Sequence, residues 1–275
     1  APDSSFPLTY AEKGLLQVKL HGPGWEDRPL QAGRALNVVP DKATYKGERL
    51  EELLPVIEQS GVNYTEETGA VTVLGLSKHS KDAAEGVNAI VGLAESLSLI
   101  QPHPALLFIA DAVGEDATGA ALFGEIKDEP SGALSFNIAT LSIDEEQSEI
   151  GIDIRIPVLA DKEALVKRLS EVAASYQLQY EEFDYVAPLY VPLDSPLVST
   201  LMAVYQEETG DQTPAMSSGG ATFARTMENC VAYGALFPDA LQTEHQANER
   251  AKLDDLYRAM EIYAETIRRL AAKEA

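Results

Sequence analysis

Isoleucine occupies the alternate positions 150, 152, 154 and 156, and a run with an apolar side chain at every second residue is confined to a strand with one buried face. Upstream, Leu134, Phe136 and Ile138 alternate in the same way. The polar segment Asp144-Glu-Glu-Gln-Ser148 lies between the two runs, so they read as antiparallel neighbours joined by a loop. Leu16, Val18 and Leu20 repeat the pattern, with Gln17 and Lys19 on the opposite side. Helical spacing predicts helices over 48–59, over 82–100 (Val87, Ile90, Leu93, Leu97, Ile100), and from the N-cap candidate Asp161 through Leu165, Leu169 and Val172 towards Tyr176. The expected fold class is α/β: an antiparallel sheet with helices on one face, within a larger α/β arrangement.

The texture changes near residue 187. Pro188, Pro192 and Pro196 crowd a stretch that can continue neither a helix nor a central strand, which places a domain boundary there. Beyond it the sequence predicts a helix over 196–208, a Ser-Ser-Gly-Gly turn at 217–220, an apolar run over 231–237 and a long terminal helix. That helix carries the stripe Leu253, Leu256, Tyr257, Met260, Ala264, Ile267 and Leu270.

Forty-four acidic residues against 21 basic ones give a formal net charge of −23, which repels phosphate backbones and anionic lipid surfaces and argues against nucleic acid or membrane partners. The lone cysteine, Cys230, excludes an internal disulfide framework and a thiolate metal cluster, and fits a reducing compartment such as the cytoplasm.

Residues suited to chemistry concentrate in a few segments. In Ser218-Gly-Gly-Ala-Thr-Phe-Ala-Arg225, two adjacent glycines permit close approach of a ligand to the backbone, or simply a tight turn. His245, in Thr243-Glu-His-Gln-Ala-Asn-Glu249, has the side chain of a metal ligand, a general acid or an ordinary surface histidine. Arg155 alternates with the isoleucines, so its guanidinium leaves the apolar face.

Taken in order, Gly219-Gly-Ala-Thr-Phe-Ala-Arg225, Gly234-Ala-Leu-Phe-Pro238 and the segment around His245 closely resemble the C-terminal signature of PepV-like di-zinc dipeptidases. These belong to the co-catalytic zinc peptidases that also include carnosinases and aminoacylases. The resemblance extends to Pro2-Asp-Ser-Ser-Phe-Pro7 with Glu12-Lys-Gly14, to Gly75-Leu-Ser-Lys-His-Ser-Lys-Asp82, and to Asp153-Ile-Arg-Ile-Pro157. It implies a dipeptide substrate and two Zn2+ ions in the intact enzyme, with Asp3 and His245 each binding one of them. It also implies that His79 stabilises the oxyanion, that Arg155 and Asn37 hold the substrate carboxylate, and that Ser218, Gly219 and Gly220 line the site. By the same resemblance, residues 13–187 form a substrate-holding lid, and 1–12 with 188–275 form part of a catalytic domain.

The chain departs from that family in its metal ligands. None of His21, His79, His103 or His245 is followed two positions on by aspartate, and the Glu-Glu pairs at 51–52, 66–67, 145–146, 181–182 and 207–208 have no partner ligand nearby in sequence. A catalytic zinc normally takes three protein ligands and an open position. The expectation is therefore a chain that lacks the N-terminal half of its catalytic domain and is inactive alone. The apolar surface so exposed would be covered by that missing half or by a homodimer. A non-catalytic module binding peptides or carboxylates, and a deacylase of N-acyl amino acids, are the alternative readings.

Overall fold

In the computed structural model, residues 1–241, 243 and 247–272 are described. The chain divides into two compact units, Gly14–Val186 and the combination of Ala1–Lys13 with Ala187–Ala275.

The Gly14–Val186 unit is built on a five-stranded antiparallel sheet in the order Gln179–Val186, Gly14–Pro23, Gln147–Ile156, Ser135–Ile143, Leu30–Ala32. The alternating isoleucines explain its centre. Ile150, Ile152 and Ile154 stand opposite Leu20, Val18 and Leu16, and all six are buried. Cross-strand apolar pairs of this kind fix the register, because a slip of one residue would turn every one of them away from the core. The bulge between Ile138 and Thr140 makes a comparable adjustment in the neighbouring strand. It shifts the alternation by one residue, so that Phe136, Ile138, Leu141 and Ile143 are all buried. The loop between the two long strands closes on Asp144, whose Oδ1 accepts the N–H groups of Glu146 and Gln147.

Helices Leu50–Ser60, Ala89–Ser98 and Lys162–Ser175 contribute Leu53, Ile57, Ile90, Leu93, Leu97, Leu165 and Leu169 to the same core. A second sheet orders Lys42–Tyr45, Ala70–Leu74 and Tyr64–Glu67. The helix expected over 82–100 starts later than its periodicity suggests. Ser80–Glu85 is a separate 3-10 turn, Gly86 is extended, and Asn88 caps the helix by accepting Ile90 N–H and Val91 N–H on Oδ1. A cap that satisfies two otherwise orphaned donors outweighs the helical composition upstream.

In the other unit, Thr9–Glu12 pairs in parallel with Met216–Ser218 and antiparallel with Leu189–Tyr190, and Ser4–Ser5 pairs with Ala235–Leu236. Phe6 anchors its core against the rings of Tyr205, Tyr233, Phe237 and Tyr263. Helix Pro196–Thr209 starts at Ser195, whose Oγ accepts Val198 N–H, and it packs on the terminal helix Leu253–Ala272. That terminal helix corrects the sequence reading. Its buried residues are Ala259, Ile262 and Thr266, whereas Leu253, Met260 and Ile267 of the expected stripe are 69%, 63% and 67% exposed. Small side chains at 259 and 266 let the helix approach its neighbour closely, and Tyr263 Oη donates to Tyr233 O on that side. Among the described residues, no helix is long and apolar enough to cross a membrane.

The two faces of the terminal helix separate in a denaturation experiment. Ile262→Ala is expected to lower the stability of this unit by about 2–5 kcal/mol, and Ile267→Ala to change it by less than about 0.5 kcal/mol. A larger loss at 267 than at 262 would reverse the assignment of the faces.

Candidate functional site

The polar side of the Gly14–Val186 sheet carries the residues that alternate with the isoleucines. Asp153 and Arg155 therefore share a face, turned away from the isoleucines, and both are buried. The guanidinium is held edge-on: Arg155 Nε donates to Asp153 Oδ1 at 2.6 Å and Nη2 to Oδ2 at 3.0 Å, while Gln17 Nε2 also donates to that Oδ2 at 3.2 Å. Asn137 and Ser135 stand opposite Asp153 and Arg155 on the adjacent strand.

Two loop segments are tied down over these strands. Asn137 Nδ2 donates to Val38 O and to Ser80 Oγ, and its Oδ1 accepts from Asn88 Nδ2. Ser80 Oγ donates to Leu36 O, Ser80 N–H to Asn37 O, and Ser135 Oγ to Ser80 O. Asn37 and His79 therefore lie on adjoining segments, joined by a bridge between Val38 and His79, above the arginine-bearing strand. The imidazole of His79 accepts Lys81 N–H on Nδ1, so the neutral ring carries its proton on Nε2. Partial burial and the nearby Arg155 charge hold its pKa below the ordinary 6.5, against an opposing pull from Asp153. A neutral imidazole with a free Nε2–H is suited to donating to a developing negative charge.

Asp3, Ser218, Gly219 and Gly220 belong to the other unit. Asp3 Oδ2 accepts Phe223 N–H at 2.7 Å, directly after the glycine segment, and Ser218 Oγ accepts Gly220 N–H. Gly220 has no positive φ, and a Cβ built there meets only Ser218 Oγ at 3.3 Å, so glycine leaves open space rather than relieving strain. His245 lies outside the described residues.

What holds this segment is a pair to which the sequence reading gave no role. Glu12 and Arg225 are buried against each other. Arg225 Nε donates to Glu12 Oε2 at 2.6 Å, and its other nitrogens donate to Ala187 O, Lys13 O and Gly220 O. Thr222 adds its N–H and Oγ1 to the same carboxylate. The signal was the strand Thr9–Glu12, buried at all four positions, which ends on a carboxylate that needs a cation.

Among the described residues, no group of three or more His, Cys, Asp or Glu side chains is placed to hold a metal ion. One Asp3 oxygen is already taken by Phe223 N–H. The described donors do not make up a metal centre by themselves.

Sequence comparison supplies the family to which this chain belongs. Residues 18–269 match the model of Peptidase family M20/M25/M40, and the chain belongs to that family. It is 34% identical, over 98% of its length, to "Putative dipeptidase YtjP" of Bacillus subtilis (strain 168). Over its whole length it is 30% identical to "Putative dipeptidase MW1694" of Staphylococcus aureus (strain MW2). The chain spans 63% and 64% of those two proteins. The crystal structure of aminoacylhistidine dipeptidase from Vibrio alginolyticus aligns with 95% of this chain and 63% of its own, at 12% identity and a TM-score of 0.48.

Two measurements check the site. By NMR, the His79 imidazole is expected to titrate with a midpoint below 6.5. Because the folded chain then binds that proton less readily than the unfolded one, the stability linked to His79 falls as pH drops through and below 6.5. A midpoint at or above 6.5 would contradict the burial and Arg155 argument. Arg225→Met strands Glu12 and is expected to lower the stability of its unit by about 3–5 kcal/mol in denaturant unfolding.

Proposed function

We propose that the chain is part of a dipeptidase that hydrolyses dipeptides with a free C-terminal carboxylate. In this reading Gly14–Val186 is the substrate-holding lid, and the remainder is part of the catalytic domain. Arg155 and Asn37 hold the substrate carboxylate, while His79 donates Nε2–H to the oxygen that gains charge as the scissile carbonyl is attacked. The segment Ser218-Gly219-Gly220 lines the site. In the complete enzyme two Zn2+ ions would be held in part by Asp3 and His245, and the remaining ligands would come from the part of the relatives' length that this chain does not span. The chain by itself is then inactive, and the lone Cys230 fits a cytoplasmic location.

The observation that carries this reading is the neutral His79 ring beside a guanidinium oriented by Asp153. An arginine fork whose plane is fixed in advance loses little freedom on taking a carboxylate, and its planar donors suit that group better than an ammonium. The relatives' names support the substrate class. An N-acyl amino acid, as a deacylase would use, presents the same carboxylate, and a panel of acylated and free dipeptides separates the two.

The test uses a chain of the relatives' full length that carries this sequence. It should hydrolyse free dipeptides and act on their C-terminal amides at least about tenfold more weakly, the effect of losing one charge-assisted contact. Arg155→Lys should raise KM for the free acids and leave the amides unchanged. Equal rates on acids and amides would refute the carboxylate role. One observation also favours a second reading, in which the lid binds carboxylates without catalysis: Asn37, His79 and Arg155 all belong to a single unit. Calorimetric binding of a dipeptide to this chain without metal, together with an inactive full-length chain, would support it.

A further inference from the structure

We propose that Asn137 is a positioning residue for dipeptide hydrolysis, which seats Asn37 and His79 over Arg155 from beneath without touching the substrate. The inference rests on the roles proposed above for those three residues. Asn137 is 1% exposed and lies on the strand that pairs with the one carrying Arg155. Asparagine is a poor strand former, and a buried amide costs free energy unless its polar groups are met. An apolar side chain would suit the interior of this sheet better, so the partners of the amide decide what it is for.

The direction of the amide is fixed from the backbone outward. Ile90 N–H and Val91 N–H donate to Asn88 Oδ1, so Asn88 Nδ2 is the end that faces the sheet. It donates to Ile138 O at 2.7 Å and to Asn137 Oδ1 at 3.1 Å. The two N–H groups of Asn137 are thereby left for the loops. Nδ2 donates to Ser80 Oγ at 2.8 Å and to Val38 O at 3.0 Å. Ser80 directly follows His79 in the chain, and Val38 directly follows Asn37.

Burial of their own side chains does not seat these segments, because Asn37, Val38 and His79 are exposed. Several of their remaining bonds run between the segments themselves: Ser80 N–H to Asn37 O, Ser80 Oγ to Leu36 O, and Val39 N–H to Lys78 O. Those bonds would let the two segments shift together. Ser135 Oγ donates to Ser80 O and so ties one of them to the sheet, whereas Asn137 ties both. Asn137 also stands opposite Asp153, which orients the Arg155 guanidinium. One buried amide therefore refers Asn37 and His79 to the strand pair from which Arg155 projects.

The test is Asn137→Leu, which keeps the shape of the side chain and removes its amide, in a chain of the relatives' full length that carries this sequence. Free dipeptides and their C-terminal amides are the substrates. With Asn37 displaced, KM for the free acids should rise at least about tenfold while KM for the amides stays; with His79 displaced, kcat should fall on both. Leu169→Ala, a change in the buried core of the same unit, lowers stability and should move neither KM, which separates positioning from a loss of folded protein. In the present chain, hydrogen exchange at Ser80 N–H and Val39 N–H should quicken at least about tenfold in Asn137→Leu, and by more than at Ile152 and Ile154 in the central strand. Should Asn137→Leu not fold, Ser80→Ala removes the partner of the shorter bond and should shift the same quantities in the same direction. Unchanged exchange at Ser80 and Val39 overturns the proposal, as does an unchanged KM for the acids where Arg155→Lys raises it. If Arg155→Lys leaves that KM unchanged as well, the carboxylate reading fails and takes this inference with it.

Discussion

A single buried amide, Asn137, holds together the polar side of the Gly14–Val186 sheet. Its Nδ2 reaches two loop segments and its Oδ1 receives Asn88, whose own Oδ1 caps a helix. Asn137 is itself buried, so its amide groups would stand unsatisfied without these partners, at about 1–3 kcal/mol apiece. The segments carrying Asn37 and His79 therefore cannot lift from the sheet independently, since releasing one strands groups belonging to the other. Such a network also specifies one arrangement among many, because an apolar replacement at 137 would hold neither segment in a defined place.

The two buried ion pairs call for a different account. Removing Asp153 and Arg155 from water costs nearly as much as their attraction returns, so the pair contributes little net stability for its burial. Its effect is directional. With Nε and Nη2 committed to Asp153, the plane of the guanidinium is fixed relative to the strand. In the other unit, Arg225 does for the backbone what Asn137 does for the loops. Its donors gather the carbonyls of Lys13, Ala187 and Gly220, and Glu12 neutralises the charge that this gathering requires. Lys13 and Ala187 are the points where the chain leaves and re-enters that unit, so one side chain ties both crossings to the glycine segment.

Where the sequence was legible, the signal was periodicity with one consequence. Alternating isoleucines admit one geometry, and the sheet follows from them together with Leu16, Val18 and Leu20. Where it was not, two structures shared the same pattern. The terminal helix has apolar residues on two sides, and the larger stripe is not the one that packs, because close helix contact favours Ala259 and Thr266 over Met260 and Ile267. Residues 82–88 have helical composition, yet Asn88 caps the helix that begins after it, a choice readable only by asking where the backbone donors go. The same alternation that turns Arg155 away from the core turns Asp153 with it. The burial of both could have been inferred from an arginine and an aspartate two residues apart on one strand face.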